Sequence, residues 1–176
     1  HIPELIEAGV DSFKIEGRMK SVHYVSTVTK VYLEAIDSYF EDPANYKVKP
    51  EWMEELEKIS HRPYTEGFSV AKPDESAQNY GQSTNTNTHD FIGLVEGYNE
   101  EGGYVELEQR NNFKVGAQVE FMQPHGPLVK TTIAKMADGD GNPIEVAPHA
   151  QMKVRLYMDQ ALEKYSMMRK ETAKKK

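Results

Sequence analysis

Cysteine is absent from all 176 residues. The chain therefore has no disulfide, no thiolate nucleophile, no cysteine-ligated zinc and no cysteine-ligated iron–sulfur cluster of its own. Long apolar runs are absent too: nothing approaches the ~20 residues that span a bilayer. No signal-peptide pattern follows the opening His1. An excess of positive charge is also missing. Lys and Arg total 21 against 28 Asp and Glu, and the formal net charge of −7 argues against nucleic-acid binding through overall basicity. HExxH, GxSxG, GxGxxG and the phosphate-binding GxxxxGK loop do not occur, and the histidines at 1, 23, 61, 89, 125 and 149 show no close ligand spacing. What remains is an ordinary globular composition, 38% hydrophobic and 28% charged, enough for one generous domain or a domain with an appendage.

Residues 1–60 read as helix–strand–helix–helix. Pro3 to Ala8 looks like a helix end closed by Gly9. Val10–Glu16 reads as a short strand with Phe13 and Ile15 on one face and Lys14 and Glu16 on the other. Gly17 ends it. A helix is predicted from Val22 to Phe40, with Ser21 as N-cap and Val25, Val28, Tyr32, Ile36 (or Ala35) and Tyr39 as its apolar stripe. Pro43 stops it. Pro50 opens a further helix whose buried face is Trp52, Met53, Leu56 and Ile59. Helix–strand–helix order builds parallel α/β sheets or barrels, yet a single strand has no partner. An opening at His1 in mid-pattern is expected of a piece of a longer protein.

Residues 61–89 read as an extended linker. Residues 76–89 hold no formal charge and are rich in Asn, Thr, Gln and Ser. Residues 90–158 are strand-rich, with six short runs at 91–98, 103–108, 117–122, 128–136, 143–146 and 151–157 separated by Gly, Asn, Asp and Pro turns. Six strands in about 70 residues imply a small closed barrel or sandwich, and closure removes exposed edges. Residues 159–176 are expected to form a helix fading into a basic tail. The expected fold class is α+β: an α/β remnant followed by a small antiparallel six-stranded β-barrel. Net charge is −6 over 1–87, −4 over 88–158 and +3 over 159–176.

The densest chemistry is Lys14-Ile15-Glu16-Gly17-Arg18-Met19-Lys20. Arg binds a carboxylate or phosphate through two parallel hydrogen bonds, and a strand's C-terminal end beside a helix start is where α/β barrels place their sites. The competing reading is a salt bridge from Glu16 to Lys14 or Arg18 that merely closes the strand end. His23 lies close to this cluster in sequence. Ser60-His61-Arg62-Pro63-Tyr64-Thr65-Glu66-Gly67-Phe68 combines aromatic, cationic and glycine residues, either as a second contact loop or as a hinge clamped by Tyr64 and Phe68. Asp138-Gly139-Asp140-Gly141-Asn142 looks like the start of a calcium loop, but Pro143 and His149 stand where glycine and glutamate belong, so a hairpin turn is expected.

Three stretches together resemble the collagenase-like peptidase U32 family: residues 2–21, the helix with Tyr24-Val25, Tyr32 and Ala35-Ile36-Asp37, and residues 60–68. The family more often has Asn and Gly at positions 61 and 63. The resemblance runs along the whole chain in order, the β-rich part matching by position and pattern. It implies a TIM-like barrel whose last strand and helix this chain would hold, followed by a β-barrel resembling domain II of translation factors. Some members are described as collagen-degrading proteases. Others act in oxygen-independent hydroxylation of tRNA uridine, ribosomal RNA or ubiquinone, with an iron–sulfur cluster held by cysteines that would lie in a preceding N-terminal part. The chain is accordingly expected to be non-catalytic alone, with no metal site and no cofactor of its own. Lys14, Glu16, Arg18, Lys20, His23, Arg62 and Tyr64 would be substrate-binding residues. The expected partners are the N-terminal TIM-like barrel of the same protein and tRNA or another protein, in the cytoplasm and away from membranes. The alternative is a stand-alone interaction or RNA-binding domain with no enzymatic activity.

Overall fold

The computed structural model describes residues 1–65, 72 and 86–172. The readings that fall on Glu66, Gly67 and Phe68, on most of the 76–89 stretch, and on Lys174, Lys175 and Lys176 lie outside the described residues. The chain forms two compact units, His1–Thr88 and His89–Lys176.

The first unit is helical. Helix α1 is Ile2–Glu7, with Pro3 in its first turn, and Gly9 beyond it takes a left-handed φ of +81°. Helix α2 is Val22–Glu41, and its N-cap Ser21 accepts a hydrogen bond from the Tyr24 amide at 3.2 Å. A 3-10 turn at Pro43–Asn45 leads to helix α3, Pro50–Lys58. Val28, Val31, Ala35 and Tyr39 form the buried stripe of α2, each three or four residues from the next, with Thr27 buried beside Val28. Val25 and Tyr32, placed on that stripe by the sequence reading, are exposed, and so is Met53 of α3. Ile2, Val31, Ala35 and Trp52 make the core, with Phe13, Ile36, Tyr46 and Leu56 packed against it. Two hydrogen bonds fix the helices: the Tyr39 hydroxyl to Glu7 at 3.0 Å and the Trp52 indole N–H to Glu34 at 3.1 Å.

Val10–Glu16 is not a strand in the structure. Its side chains do alternate, with Phe13 and Ile15 half-buried and Lys14 and Glu16 exposed. No neighbouring strand pairs with it among the described residues of this unit. A strand is defined by ladder hydrogen bonds to a second strand, so alternation without a partner leaves an extended segment.

The second unit is a curled antiparallel sheet. Its strands are β1 His89–Asn99, β2 Tyr104–Gln109, β3 Phe113–Lys114, β4 Gln118–Met122, β5 Val129–Thr132, β6 Met136–Asp138, β7 Pro143–Ile144, β8 Val146–Ala147, β9 Lys153–Tyr157 and β10 Met167–Glu171. Eight pair in the order β5-β4-β10-β1-β2-β9-β6-β7, and β3 pairs with β8. The expected six-stranded closed barrel is thus replaced by a half-barrel, whose end strands β5 and β7 do not pair with each other. The predicted run 128–136 divides into β5 and β6, and 143–146 into β7 and the start of β8. The expected helix after residue 158 is absent among the described residues. Residues 167–171 instead form β10, between β4 and β1 in the sheet. Met, Arg, Lys and Glu are good helix formers, but two partner strands outweigh propensities worth only tenths of a kcal/mol per residue.

Strand β1 bends to follow the curl. Its register slips between Phe91 and Gly93 against β10 and between Val95 and Gly97 against β2. Ile92, Val95, Val105, Leu107, Phe113, Phe121, Met136, Leu156 and Met168 fill the concave core.

Candidate functional site

The site predicted from sequence lies in the helical unit, where the 14–24 and 60–64 stretches come together. Gly17 starts the turn into α2. A Cβ at this position would lie 2.5 Å from Val25 Cγ2, so any other residue would force the Val25 side chain to move. The turn closes through the Lys20 amide, which donates to the Gly17 carbonyl at 2.9 Å. The Glu16 carboxylate accepts from the Arg18 backbone amide at 2.8 Å. Glu16 therefore braces the turn through the main chain rather than by pairing with the Arg18 guanidinium. Lys14 and Arg18 are exposed, and no side-chain hydrogen bond or ion pair ties either of them to another described residue.

Lys20 points the other way. Its ammonium donates to the Ser60 carbonyl at 3.3 Å and lies 4.9 Å from the centre of the Tyr24 ring. This joins the two predicted stretches across 40 residues. His61 then stacks on Tyr64, with ring centres 4.3 Å apart and planes 8° from parallel. The Tyr64 hydroxyl donates to the Leu56 carbonyl at 2.7 Å, at the C-terminal end of α3. Burial of that hydroxyl, with Tyr24, Glu57 and Tyr32 nearby, pushes the phenol up to about 12. The His61 backbone is held by a two-way bridge to Thr86, at 2.9 and 3.0 Å. Arg62 is exposed beside the stacked pair.

Lys20 and Tyr64 thus lie around Tyr24 and the Ser60–His61 stretch, on which Arg62 is exposed. Lys14, Glu16 and Arg18 stay on the preceding segment, and His23 is buried in the first turn of α2. Tyr24 and Ser60 fall in the stretches singled out by sequence but not among the residues expected to bind. Tyr24 stands four residues from Lys20, a spacing that places the two on one side of the helix start. The Ser60 contribution is a carbonyl, which no side-chain pattern announces. A cation beside an aromatic ring and a stacked pair of rings are groups that can hold a planar or anionic partner. Among the described residues no group of three His, Asp or Glu could hold a metal ion, and no helix is long and apolar enough to cross a membrane.

The Asp138–Asn142 segment is the expected hairpin turn. The Asp138 carboxylate accepts from the backbone amides of Asp140 and Asn142 and from the Asn142 side chain, at 2.9 to 3.0 Å. These bonds hold its carboxyl below the usual carboxylate range.

Residues 1–79 match the model of peptidase family U32, and residues 87–169 match that of the peptidase family U32 C-terminal domain. A tRNA hydroxylation protein P1 of Bacillus subtilis is 43% identical over 169 residues, covering 96% of this chain and 40% of that protein. A collagenase of Porphyromonas gingivalis is 29% identical over 139 residues, covering 78% of this chain and 37% of that protein. The chain spans about two fifths of the length of these two relatives. Among solved structures, the C-terminal domain of a Geobacillus thermoleovorans protein described as a U32 peptidase is 40% identical. It covers 46% of this chain and 99% of that one, with a TM-score of 0.44.

Proposed function

This chain belongs to peptidase family U32, and from that premise we propose that it is the substrate-contacting part of a tRNA-hydroxylating protein rather than a catalytic centre in its own right. The observation that carries this reading is the 43% identity to a tRNA hydroxylation protein along 96% of the chain. The likeness to a collagenase is weaker on both counts, at 29% and 78%. The protease reading therefore takes second place.

Lys20, Arg62 and Tyr64, with Tyr24 and His61, form the contact surface for a nucleoside or phosphate of the tRNA, and Lys14 and Arg18 extend it. Glu16 positions the Arg18 turn. The half-barrel serves as an accessory binding module in the cytoplasm. Hydroxylation itself needs a redox group. With no cysteine, the chain offers no thiolates to an iron–sulfur cluster, so no chemical step is assigned to these residues. A TIM-like barrel supplied by more of the same polypeptide would provide that group. The apolar groove of about 380 Å³ beside α2, lined by Phe13, Leu33, Ile36 and Phe40 among others, supports a partner of that kind.

The test is complementation of a strain lacking the full-length protein, with nucleoside mass spectrometry of its tRNA. Arg18→Ala and Arg62→Ala should each lower the hydroxylated nucleoside at least tenfold while the protein accumulates normally. Unchanged modification in both variants would remove the contact surface from the proposal.

A further inference from the structure

Met19 takes no part in the packing of the helical unit. It is 92% exposed, more than any other large apolar side chain among the described residues, and Phe40 follows at 65%. Of the eight methionines, only Met53 is otherwise exposed. Single apolar residues are common on protein surfaces and by themselves call for no ligand. What sets Met19 apart is how it is held and what flanks it.

The Lys20 amide donates to the Gly17 carbonyl at 2.9 Å and closes a turn with Arg18 and Met19 at its centre. The Arg18 amide donates to the Glu16 carboxylate at 2.8 Å, which fixes the entry to the turn. Ser21, directly after it, caps α2 through the Tyr24 amide at 3.2 Å, and the Lys20 ammonium is tied to the Ser60 carbonyl at 3.3 Å. The backbone on both sides of Met19 is thus pinned, so little ordering cost remains when its side chain meets a partner.

The flanking charges point to the chemistry of that partner. The 14–20 segment carries Lys14, Arg18 and Lys20 against Glu16. Lys14 and Arg18 are exposed, and no side-chain hydrogen bond or ion pair ties either of them to another described residue. The partners of Lys20, a carbonyl and a tyrosine ring, leave its charge uncompensated. A polarizable apolar tip between cations matches a strand that alternates flat faces with anions. In a nucleic acid the bases offer a π-face to the thioether, and the phosphates pair with Lys and Arg. Methionine is among the apolar side chains that proteins place against base steps. An acidic peptide would meet the cations but has no flat group at each repeat for the tip.

We propose that Met19 lies against the face of a base of the tRNA while Lys14 and Arg18 hold neighbouring phosphates. The inference rests on the reading of this segment as a tRNA contact surface and adds to it the residue that touches a base.

The test is fluorescence anisotropy of the 176-residue chain with labelled total tRNA at several salt concentrations. Arg18→Ala should weaken binding and lower the slope of log affinity against log salt by about one, as a lost phosphate contact does. Met19→Ser should weaken binding about tenfold with the slope unchanged, because a stacking contact releases no counterion. Met19→Leu should keep most of the affinity, and Met53→Ser, at the exposed methionine of α3, should bind as the parent does. If Arg18→Ala has its effect but Met19→Ser binds like the parent, or alters the slope as Arg18→Ala does, Met19 is not a base contact and the contact surface stands without it. If the parent chain does not bind tRNA, or neither variant changes its binding, the contact surface and the inference fall together.

Discussion

Tyr64 shows how one side chain joins local packing to a measurable property. Its hydroxyl is committed to the Leu56 carbonyl while 45% of the residue stays exposed. The phenol titrates at about 12 instead of 10.0, so the folded state holds this proton more tightly than the unfolded chain. The stability it contributes is therefore complete below pH ~10 and is lost as pH rises through the folded value. Tyr64→Phe should cost about 1 kcal/mol near neutrality, the worth of one hydrogen bond. That deficit should shrink between pH 10 and 12, as only the parent protein loses stability there through this group. Thermal melts across that range check it, and a constant gap between the two proteins would contradict it. Glu16 carries a related lesson. Its carboxylate is spent on a backbone amide, so the segment's charge pattern overstated the number of free groups.

At the level of elements, β10 is the decisive strand. It pairs with β1 on one side and β4 on the other, and Met168 carries it into the core. Without it the sheet divides into β5-β4 and β1-β2-β9-β6-β7. Deleting residues 166–176 should therefore abolish the cooperative unfolding transition of the sheet unit, seen as lost dispersion in amide NMR spectra. A surviving dispersed spectrum would show that β10 is dispensable. The extended segment before Gly17 teaches the converse. It has the alternation of a strand, but it becomes one only if another chain segment supplies hydrogen bonds.

The whole molecule combines a well-filled sheet unit with a helical unit that leaves apolar groups in water. Leu33 is 51% exposed and Phe40 is 65% exposed, both on α2 beside the apolar groove. A face of this kind favours association with another surface. Leu33→Lys with Phe40→Lys should reduce self-association of the 176-residue chain, measured by sedimentation velocity. In the full-length protein the same pair should lower the yield of soluble product, because the face is then needed for barrel packing. Normal yield would argue against that use. The net charge of −7 is an average over the chain, and the 14–20 segment alone carries three cations, Lys14, Arg18 and Lys20, against one acid, Glu16. Overall acidity therefore does not exclude anion contacts at particular sites.

Sequence by itself determined α1, α2 and α3, the Ser21 cap, the glycine turns and most of the sheet strands, because each rests on periodicity or turn chemistry within a few residues. The family, too, was readable from residues 2–21 and 60–68. Tertiary structure alone decided that a stretch of helix-forming residues becomes β10, that Lys20 reaches Ser60, and that Arg169 meets Glu120 in a buried ion pair. These facts depend on partners 40 or more residues away along the chain. Local propensity is worth tenths of a kcal/mol per residue, whereas two ladders of hydrogen bonds and a buried side chain act together at each position.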